Sequence, residues 1–244
     1  MNTTSTLLQP VLTVSDIPVY VTHKAIKNLH LGVYPPDGQV RVSAPEHFTA
    51  DHIRLAVVTR LKWNKTQQQR FQQQARQTPR EMVSGESHYL WGTRYRLGVV
   101  YQPGKHQIIP KGEFLHLTVN PGTTTENRVL VLHDYYRQQL KQRIPLLLEK
   151  WQPLIGGEVT GWGIKRMKTK WGSCNISDRR IWLNLELAKK SPECLEYVLV
   201  HELVHLLERQ HNASFTTHMD DLLPNWRSVR DQLNAEYLAA EAWF

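Results

Sequence analysis

One pentapeptide, His201–His205, constrains what this chain can fold into more than any other part of its sequence. It reads His-Glu-Leu-Val-His, and the Ser191-Pro192 pair ahead of it is typical of a helix start, so we predict that both histidines lie on one helix. Residues four apart are one helical turn apart, and both imidazoles can therefore contact one metal ion. Glu202 could then accept a proton from a water molecule activated by that ion. The pattern favours a hydrolytic zinc site; an amphipathic helix with two ordinary histidines is the alternative.

A catalytic zinc ion usually has three protein ligands, and His211 is the best candidate for the third. On an unbroken helix His211 would be rotated about 240° from His205, so the helix must end near residues 208–210 and the chain must turn back. The spacing matches the long zinc motif of metzincins, but Glu208 replaces the glycine of their turn and no Met-turn is evident, which disfavours that group. The rival third ligands are Glu208, His218, Asp220 and Glu236.

The composition is that of an ordinary folded protein, with 41% hydrophobic and 21% charged residues among 244. It excludes a wholly disordered chain. No apolar run approaches the roughly 18–20 residues of a membrane span, and residues 1–14 lack the pattern of a secretory signal, so we expect neither. Two cysteines cannot build a disulfide framework, which favours a cytoplasmic location.

The net charge of +8 is unevenly distributed along the chain. Residues 1–190 contain 27 basic and 13 acidic residues, whereas residues 191–244 contain 3 basic and 9 acidic ones together with 4 of the 12 histidines. The basic part, including the run Lys165–Lys170, makes nucleic acid a candidate partner, although no nucleic-acid motif accompanies the charge. A solvated strand face with ordinary surface lysines is the interpretation that we favour for this run.

Hydrophobic patterning divides the chain near residue 120. Residues 1–120 predict a β-rich region with one helix, including a hairpin around residues 29–42 and strands at 89–91, 95–101, 107–109 and 114–119. Residues 121–244 predict a helix over 126–151 that Pro145 kinks or splits, strands over 164–171 and 179–187, and the helix that starts at Ser191. The glycine-containing segments 161–163 and 172–175 predict loops or turns.

The segment 172–175 also contains Ser173 and Cys174, which are candidate nucleophiles. The pattern of a nucleophile elbow is incomplete, because Asn175 stands where the second glycine should be. We therefore favour a structural turn near the active-site helix. Cys174 as a zinc ligand would be superfluous beside three histidines.

Several segments carry a family resemblance that is strongest from Lys168 to Trp226. They are Lys168–Cys174, Leu183–Leu185, Tyr197–Leu206, His211-Asn212 with Phe215, and Leu222–Trp226, with a weaker match at Trp91–Tyr95 and in the first hairpin. Together they resemble the YgjP-like family of metal-dependent hydrolases, whose relatives include the SprT-like zinc proteases. Thr216 departs from the pattern, since tryptophan is common there in the family.

The resemblance implies an α+β fold in which a zincin-like metallopeptidase domain, made of a small sheet and an active-site helix over residues 121–244, follows a β-rich N-terminal region over residues 1–120. It implies Zn²⁺ as the cofactor and a polypeptide as the substrate. Its ligands would be His201, His205 and His211, with Glu202 as the general base.

An edge of the sheet commonly aligns an extended substrate in zincins, and we expect the strand over 179–187 to do so, with Arg180, Trp182 and Asn184 as substrate-binding residues. The alternative function is a nucleic-acid-associated one. In that case the chain would be a protease for DNA-linked proteins, or a DNA-binding module with a structural metal site.

Overall fold

The computed structural model describes residues 12–34, 38–73, 80–167 and 170–235. Within these ranges the chain forms two compact units, one from residue 12 to residue 73 and the other from residue 80 to residue 235. Each unit has its own cluster of buried hydrophobic residues. The boundary predicted near residue 120 lies inside the second unit, where one core continues from Leu97 and Leu117 to Leu140 and Leu199.

The first unit is a four-stranded sheet accompanied by two helices. Its strands are β1 (Leu12–Val14), β2 (Ile17–Lys24), β3 (His30–Tyr34) and β4 (Gln39–Pro45), in the spatial order β1-β2-β4-β3, and its helices are α1 (Ala50–Thr59) and α2 (Leu61–Gln73). β3 and β4 pair antiparallel, as the hairpin pattern predicts, while residues 35–37 of the predicted turn lie outside the described residues. Alternate residues Val40 and Val42 of β4 are buried together with Ile53 and Val57 of α1.

The second unit begins with another four-stranded sheet and a long helix. The strands are β5 (Ser87–Leu90), β6 (Thr93–Tyr101), β7 (Gln107–Lys111) and β8 (Phe114–Val119), in the order β5-β6-β8-β7, and the helix is α3 (Thr125–Ile155). Residues of α3 at spacings of three and four, including Tyr136, Leu140 and Ile144, are fully buried. Because this packed face holds the helix together, α3 is continuous through Pro145, which does not split it.

A small three-stranded sheet follows α3. Its strands are β9 (Gly161–Lys165), β10 (Gly172–Asn175) and β11 (Arg180–Asn184), in the order β10-β11-β9, and a 3-10 helix, Leu185–Lys189, comes directly after β11. β11 pairs antiparallel with β10 and parallel with β9. The strand predicted over 179–187 ends at Asn184 because the Asn184 side chain accepts a hydrogen bond from the Glu186 N–H and starts the 3-10 helix.

The loops or turns predicted at 161–163 and 172–175 are wrong, since both segments belong to strands. Their glycines allow close approach of a neighbouring side chain. A Cβ on Gly163 would lie 2.3 Å from the ring of Trp182, its cross-strand partner. A Cβ on Gly172 would lie 2.5 Å from a carboxylate oxygen of Glu202. Gly163 thus marks tight packing within the sheet, and Gly172 marks tight packing of the sheet against the helix that carries Glu202.

Three helices complete the second unit: α4 (Pro192–Val204), α5 (Ala213–Leu222) and α6 (Trp226–Ala235). As predicted, Ser191 occupies the N-cap of α4 and Pro192 its first position. Most side chains of α4 are buried, and the helix contacts α3, α5, α6 and β10. The prediction of an α+β fold with N-terminal strands is confirmed. Within the described ranges, no helix combines the length and the apolar character needed to cross a membrane.

Candidate metal centre

The helix α4 presents two histidines and a glutamate at its C-terminal end. His201 and Glu202 lie in its last turn and His205 at its C-cap. Apolar neighbours such as Leu199 and Leu203 are fully buried, so the helix is held firmly in the core. The spacing of four residues therefore brings the two imidazoles to one side of a fixed helix, as the sequence predicts.

Beyond His205 the chain leaves the helix and turns back. The Glu208 N–H still donates to the Val204 carbonyl, but the following residues do not continue the helix, and the Glu208 side chain accepts a hydrogen bond from the Gln210 N–H at 3.2 Å. Glu208 is not among the described residues with positive φ. This turn consequently does not need the glycine found in metzincins, which explains how Glu208 can occupy the position.

The third histidine lies where this turn meets the next helix. Asn212 is the N-cap of α5, and its side-chain oxygen accepts a hydrogen bond from the Phe215 N–H at 2.9 Å. His211, immediately before this cap, is thereby directed back toward α4. The early end of α4 and the capped start of α5 together bring His211 to the other two histidines.

The imidazole nitrogens of the three histidines converge. The His211 Nε2 atom lies 3.0 Å from His201 Nε2 and 3.1 Å from His205 Nε2. Two nitrogens bound to one tetrahedral zinc ion at 2.0–2.1 Å would be about 3.3 Å apart. The observed separations are close to this value. Among the described residues, these three histidines are the group of potential ligands that meets in this way.

The hydrogen-bonding capacity of the rings fits a cation at this point. The His205 Nδ1 atom lies 3.0 Å from the Glu208 carbonyl oxygen and donates to it, so the Nε2 atom of the same ring carries a lone pair. His211 Nε2 has at most one hydrogen and cannot donate to both neighbours. Burial, followed by the nearby His205 and His211, lowers the pKa of His201 to about 3, which keeps this ring neutral. Neutral imidazoles with converging lone pairs are the form in which histidine binds metal.

The ring of Phe215 packs against the imidazole rings of all three histidines. Its ring centroid lies 4.9 Å from those of His201 and His205 and 4.7 Å from that of His211. Phe215 is 3% exposed, so it packs behind the imidazoles and fixes their positions. The sequence contains no signal for this role, since an aromatic residue on the apolar face of a short helix usually indicates core packing alone.

Glu202 is buried beside the histidines, with its carboxyl group against β10. Only 6% of Glu202 is exposed, and its side chain occupies the space that a Cβ on Gly172 would fill. Burial raises the pKa of Glu202 to about 8, while the positive charge of Lys170 acts in the opposite direction. A buried carboxyl group with a raised pKa, next to three converging imidazoles, can act as a proton carrier.

An open cavity of about 540 Å³ gives access to this group of residues. The three histidines and Glu202 line it, together with the β10 residues Gly172, Ser173 and Cys174, the aromatic residues Trp171 and Tyr197, and the basic residues Lys170, Arg209 and Arg230. Burial and the nearby Glu202 raise the pKa of Cys174 to about 11. The thiol is therefore protonated at neutral pH and is a poor nucleophile, which agrees with the structural role preferred from the sequence.

Three residues predicted to bind substrate lie elsewhere. β11 is the central strand of its sheet, so it has no free edge, and the expectation that it aligns the substrate is wrong. Asn184 is fully buried and donates to the backbone oxygens of Met167 and Lys170. Trp182 contacts the side chains of Lys165 and Arg180 and does not line the cavity.

The rival third ligands do not join the three histidines. Glu208 is engaged in the turn described above, and Asp220 forms an ion pair with Arg227 and accepts a hydrogen bond from Trp226. Glu208, His218 and Asp220 all lie outside the converging group, while Glu236 lies outside the described residues. Thr216, which departs from the family pattern, donates a hydrogen bond to the Asn212 carbonyl and does not line the cavity.

A helix with the His-Glu-x-x-His pattern and a third histidine beyond it, in a small α+β unit, is characteristic of the zincin class of metallopeptidases. The comparison with known families agrees with this class. The family model of the YgjP-like metallopeptidase domain matches residues 27–236 of the chain. The protein belongs to the YgjP-like family and is a metal-dependent protease.

Two solved structures are similar to part of the chain. One is the crystal structure of the metallopeptidase zymogen of Pyrococcus abyssi abylysin, which is 21% identical, covers 39% of this chain and 96% of that chain, and has a TM-score of 0.36. The other is the metallopeptidase zymogen of Methanocaldococcus jannaschii jannalysin, which is 19% identical, covers 38% of this chain and 94% of that chain, and has a TM-score of 0.34. A search of curated proteins finds no significant match.

Proposed function

We propose that the protein is a zinc-dependent metallopeptidase that hydrolyses peptide bonds with Glu202 as the general base. One observation carries the proposal: the Nε2 atoms of His201, His205 and His211 converge beside the buried carboxyl group of Glu202, at the wall of an open cavity. Three imidazoles with a fourth position left open are the ligand set of catalytic zinc, whereas structural zinc sites are closed by four protein ligands.

Bound Zn²⁺ would supply Lewis-acid activation of the scissile carbonyl group and of a water molecule. The three histidines would hold the ion, and two contacts keep them in place. The Glu208 carbonyl fixes the orientation of the His205 ring, and Phe215 supports all three rings. Such supporting contacts orient the ligands and increase their affinity for the metal.

Glu202 would move the proton during the reaction. Its carboxylate accepts a proton from the attacking water molecule and then transfers that proton to the nitrogen of the leaving amine. Burial alone raises the pKa of this carboxyl group to about 8, and a bound divalent cation would act in the opposite direction and favour the carboxylate that accepts the proton. Cys174 and Ser173, although close by, are not required for either step.

The edge of the small sheet offers a place for the substrate backbone. Among the described strands β10 pairs with β11 alone, and its residues Gly172, Ser173 and Cys174 line the cavity. An extended polypeptide could add to this edge as a further strand, which would bring its carbonyl groups past the histidines. We therefore assign to β10 the role that the sequence analysis gave to β11.

The proteolytic activity of Glu202→Gln tests the proposal. The amide has nearly the shape of the carboxyl group but cannot accept the proton, so we expect kcat/KM on an unfolded protein substrate to fall by about 10²- to 10⁴-fold. Metal analysis should show an unchanged zinc content, because the histidines are intact. Glu193→Gln, an exposed residue on the same helix, is the matched control and should retain activity. Full activity of Glu202→Gln would contradict the mechanism.

Two further predictions of the sequence analysis stay predictions. A cytoplasmic location is favoured by Cys174 and Cys194, neither of which forms a disulfide bond. A DNA-associated substrate rests on the positive charge of residues 1–190, and none of the comparisons adds support for it.

A further inference from the structure

The charges around the cavity are almost all of one sign. Three basic residues line it and come from different elements: Lys170 precedes β10, Arg209 lies in the turn between His205 and His211, and Arg230 lies on α6. Glu202 is the acidic residue of the lining, and it is buried beside the histidines. The cavity therefore has a cationic rim, which we define as Lys170, Arg209 and Arg230.

Two of these cations form no ion pair within the described residues, although the charge of Lys170 also acts on Glu202. In the part of the chain that the structure describes, Arg230 pairs with Asp231 at 2.8 Å and packs 5.1 Å from the Trp226 ring centroid, whereas Lys170 and Arg209 make no ion pair. Both Lys170 and Arg209 are exposed. Their charges are consequently available to a ligand that enters the cavity.

This pattern contrasts with the surface elsewhere in the same region. The residues 191–244 are acidic as a whole, yet two of their three basic residues, Arg209 and Arg230, line this cavity. Lys170, from the basic part of the chain, joins them, so that three cations from separate segments line one cavity. Such an arrangement attracts anionic ligands and repels cationic ones.

We propose that the cavity selects polypeptides with acidic side chains close to the scissile bond, through Lys170 and Arg209. This inference rests on the proposed peptidase function and specifies its substrate class. Carboxylates of Glu or Asp on a strand added to β10 would lie beside the cationic rim. Apolar residues would instead contact Trp171, Tyr197 and Ile176, which also line the cavity. The combination favours acidic side chains interspersed with apolar ones.

A binding measurement tests the inference without catalysis. The ligands are three fluorescein-labelled, alanine-rich decapeptides that carry two Glu, two Gln or two Lys residues flanking a central Ala-Leu bond. They are titrated into zinc-loaded Glu202→Gln protein and followed by fluorescence anisotropy. We expect the Glu peptide to bind about five- to tenfold more tightly than the isosteric Gln peptide at low salt, and the Lys peptide to bind most weakly. The difference should vanish at 1 M NaCl, where the Debye length is about 3 Å.

Charge-neutralising variants locate the selectivity. The double variant Lys170→Gln/Arg209→Gln should bind the Glu and Gln peptides equally. The double variant Arg94→Gln/Lys105→Gln removes the same charge from exposed residues outside the cavity and should keep the full preference. Cleavage of the same peptides by the wild-type protein should follow the same order in kcat/KM.

The outcomes separate this inference from the proposed function. The inference would be overturned if the Glu202→Gln protein, with Lys170 and Arg209 intact, bound the Glu and Gln peptides with equal affinity, even if the wild-type protein cleaves both. A preference that the Arg94→Gln/Lys105→Gln control abolishes as well would also overturn it, since the effect would then be one of net charge. A ten-nucleotide oligodeoxythymidine that binds through Lys170 and Arg209, with no discrimination among peptides, would replace it with a nucleic-acid ligand. Selective binding without cleavage would support the inference while refuting the peptidase proposal.

Discussion

Gly172 shapes the site by having no side chain. Its α-carbon lies against Glu202 and Val198, and a Cβ would approach the Glu202 Cγ atom to 2.8 Å and Val198 Cγ1 to 2.9 Å. Real Cβ atoms do not come this close, so either the carboxyl group or β10 would have to move. Position 172 thus couples the edge of the small sheet to the proposed general base.

The substitution Gly172→Ala tests this coupling. We expect kcat to fall at least about tenfold, because a displacement of the base by less than 1 Å weakens catalysis strongly. The cost in the free energy of unfolding should be about 1–3 kcal/mol, as for other overpacked sites. Gly161→Ala in β9 is the control, since its Cβ would meet only the Arg180 side chain at 3.8 Å or more. Equal activity of the two variants, measured by steady-state proteolysis, would refute the coupling.

The buried side chain of His88 should make the free energy of unfolding depend on pH. This side chain is 3% exposed, and its Nε2 atom has no hydrogen-bond partner. Burial, followed by the charges of Arg80 and Lys189, lowers its pKa to about 3 from 6.5. As the pH falls below 6.5, the unfolded chain binds a proton at this position that the folded chain does not. Stability therefore decreases as the solution becomes more acidic.

The size of this effect can be measured with His88→Gln. Between pH 7 and pH 5, His88 should remove about 2 kcal/mol of stability from the wild type, and the variant should lack this loss. Urea denaturation at the two pH values gives the difference between the two proteins. His30→Gln replaces an exposed histidine and serves as the control, with a pH dependence equal to that of the wild type. A wild-type slope in His88→Gln would disprove the assignment.

At the scale of elements, the position of His211 depends on how α5 begins. The Asn212 side chain caps this helix by accepting a hydrogen bond from the Phe215 N–H. Because Asn212 also follows His211 directly, the cap fixes both the third histidine and the phenylalanine behind the rings. Loss of the cap should therefore reach the metal site as well as the helix.

The pair Asn212→Ala and Thr124→Ala separates these two effects. Each removes a helix N-cap, the second one at α3, where Thr124 accepts from the Asn127 N–H. Both should lose about 1 kcal/mol of stability. Asn212→Ala alone should bind zinc about 10- to 100-fold more weakly, measured by competition with a chromophoric chelator. The same zinc affinity in both variants would show that α5 does not position His211.

Elements with strong local signals could be predicted from the sequence. The start of α4 is encoded by Ser191 and Pro192, and the hairpin of β3 and β4 by its alternation of apolar residues. The strand predicted over 164–171 overlaps β9 at residues 164–165. The glycine-containing parts of β9 and β10 could not be predicted, because the space at positions 163 and 172 is taken by Trp182 and Glu202, which are distant in sequence. In the same way, the histidine spacing predicts which imidazoles meet, whereas the positions of Phe215 and of the cationic rim depend on segments that come together only in the folded chain.

At the scale of the whole molecule, the two units have separate hydrophobic cores. The core of the second unit joins the β5–β8 sheet, α3, the small sheet and α4, so it needs residues from 82 to 233. The family model, by comparison, begins at residue 27, within the first unit. The metal centre lies entirely within the second unit.

Two truncated chains test this division. A chain of residues 80–244 should unfold cooperatively and bind one zinc ion per molecule, because its core is complete. A chain of residues 121–244 lacks the sheet that buries Leu97, Leu115 and Leu117, and it should aggregate or remain without a cooperative transition. Circular dichroism during thermal unfolding, together with metal analysis, checks both. A stable, metal-binding 121–244 fragment would instead place the domain boundary near residue 120.

The buried ring of Phe215 also limits the directions from which a metal ion could reach the three histidines. Phe215 is buried against the imidazoles, and the three histidines line the cavity, so an ion would reach and leave them through that cavity. A polypeptide seated in that cavity would obstruct the route. Protein with a bound polypeptide should therefore lose its metal ion to a chelator more slowly than protein without one. The substrate would in this way protect the metal centre.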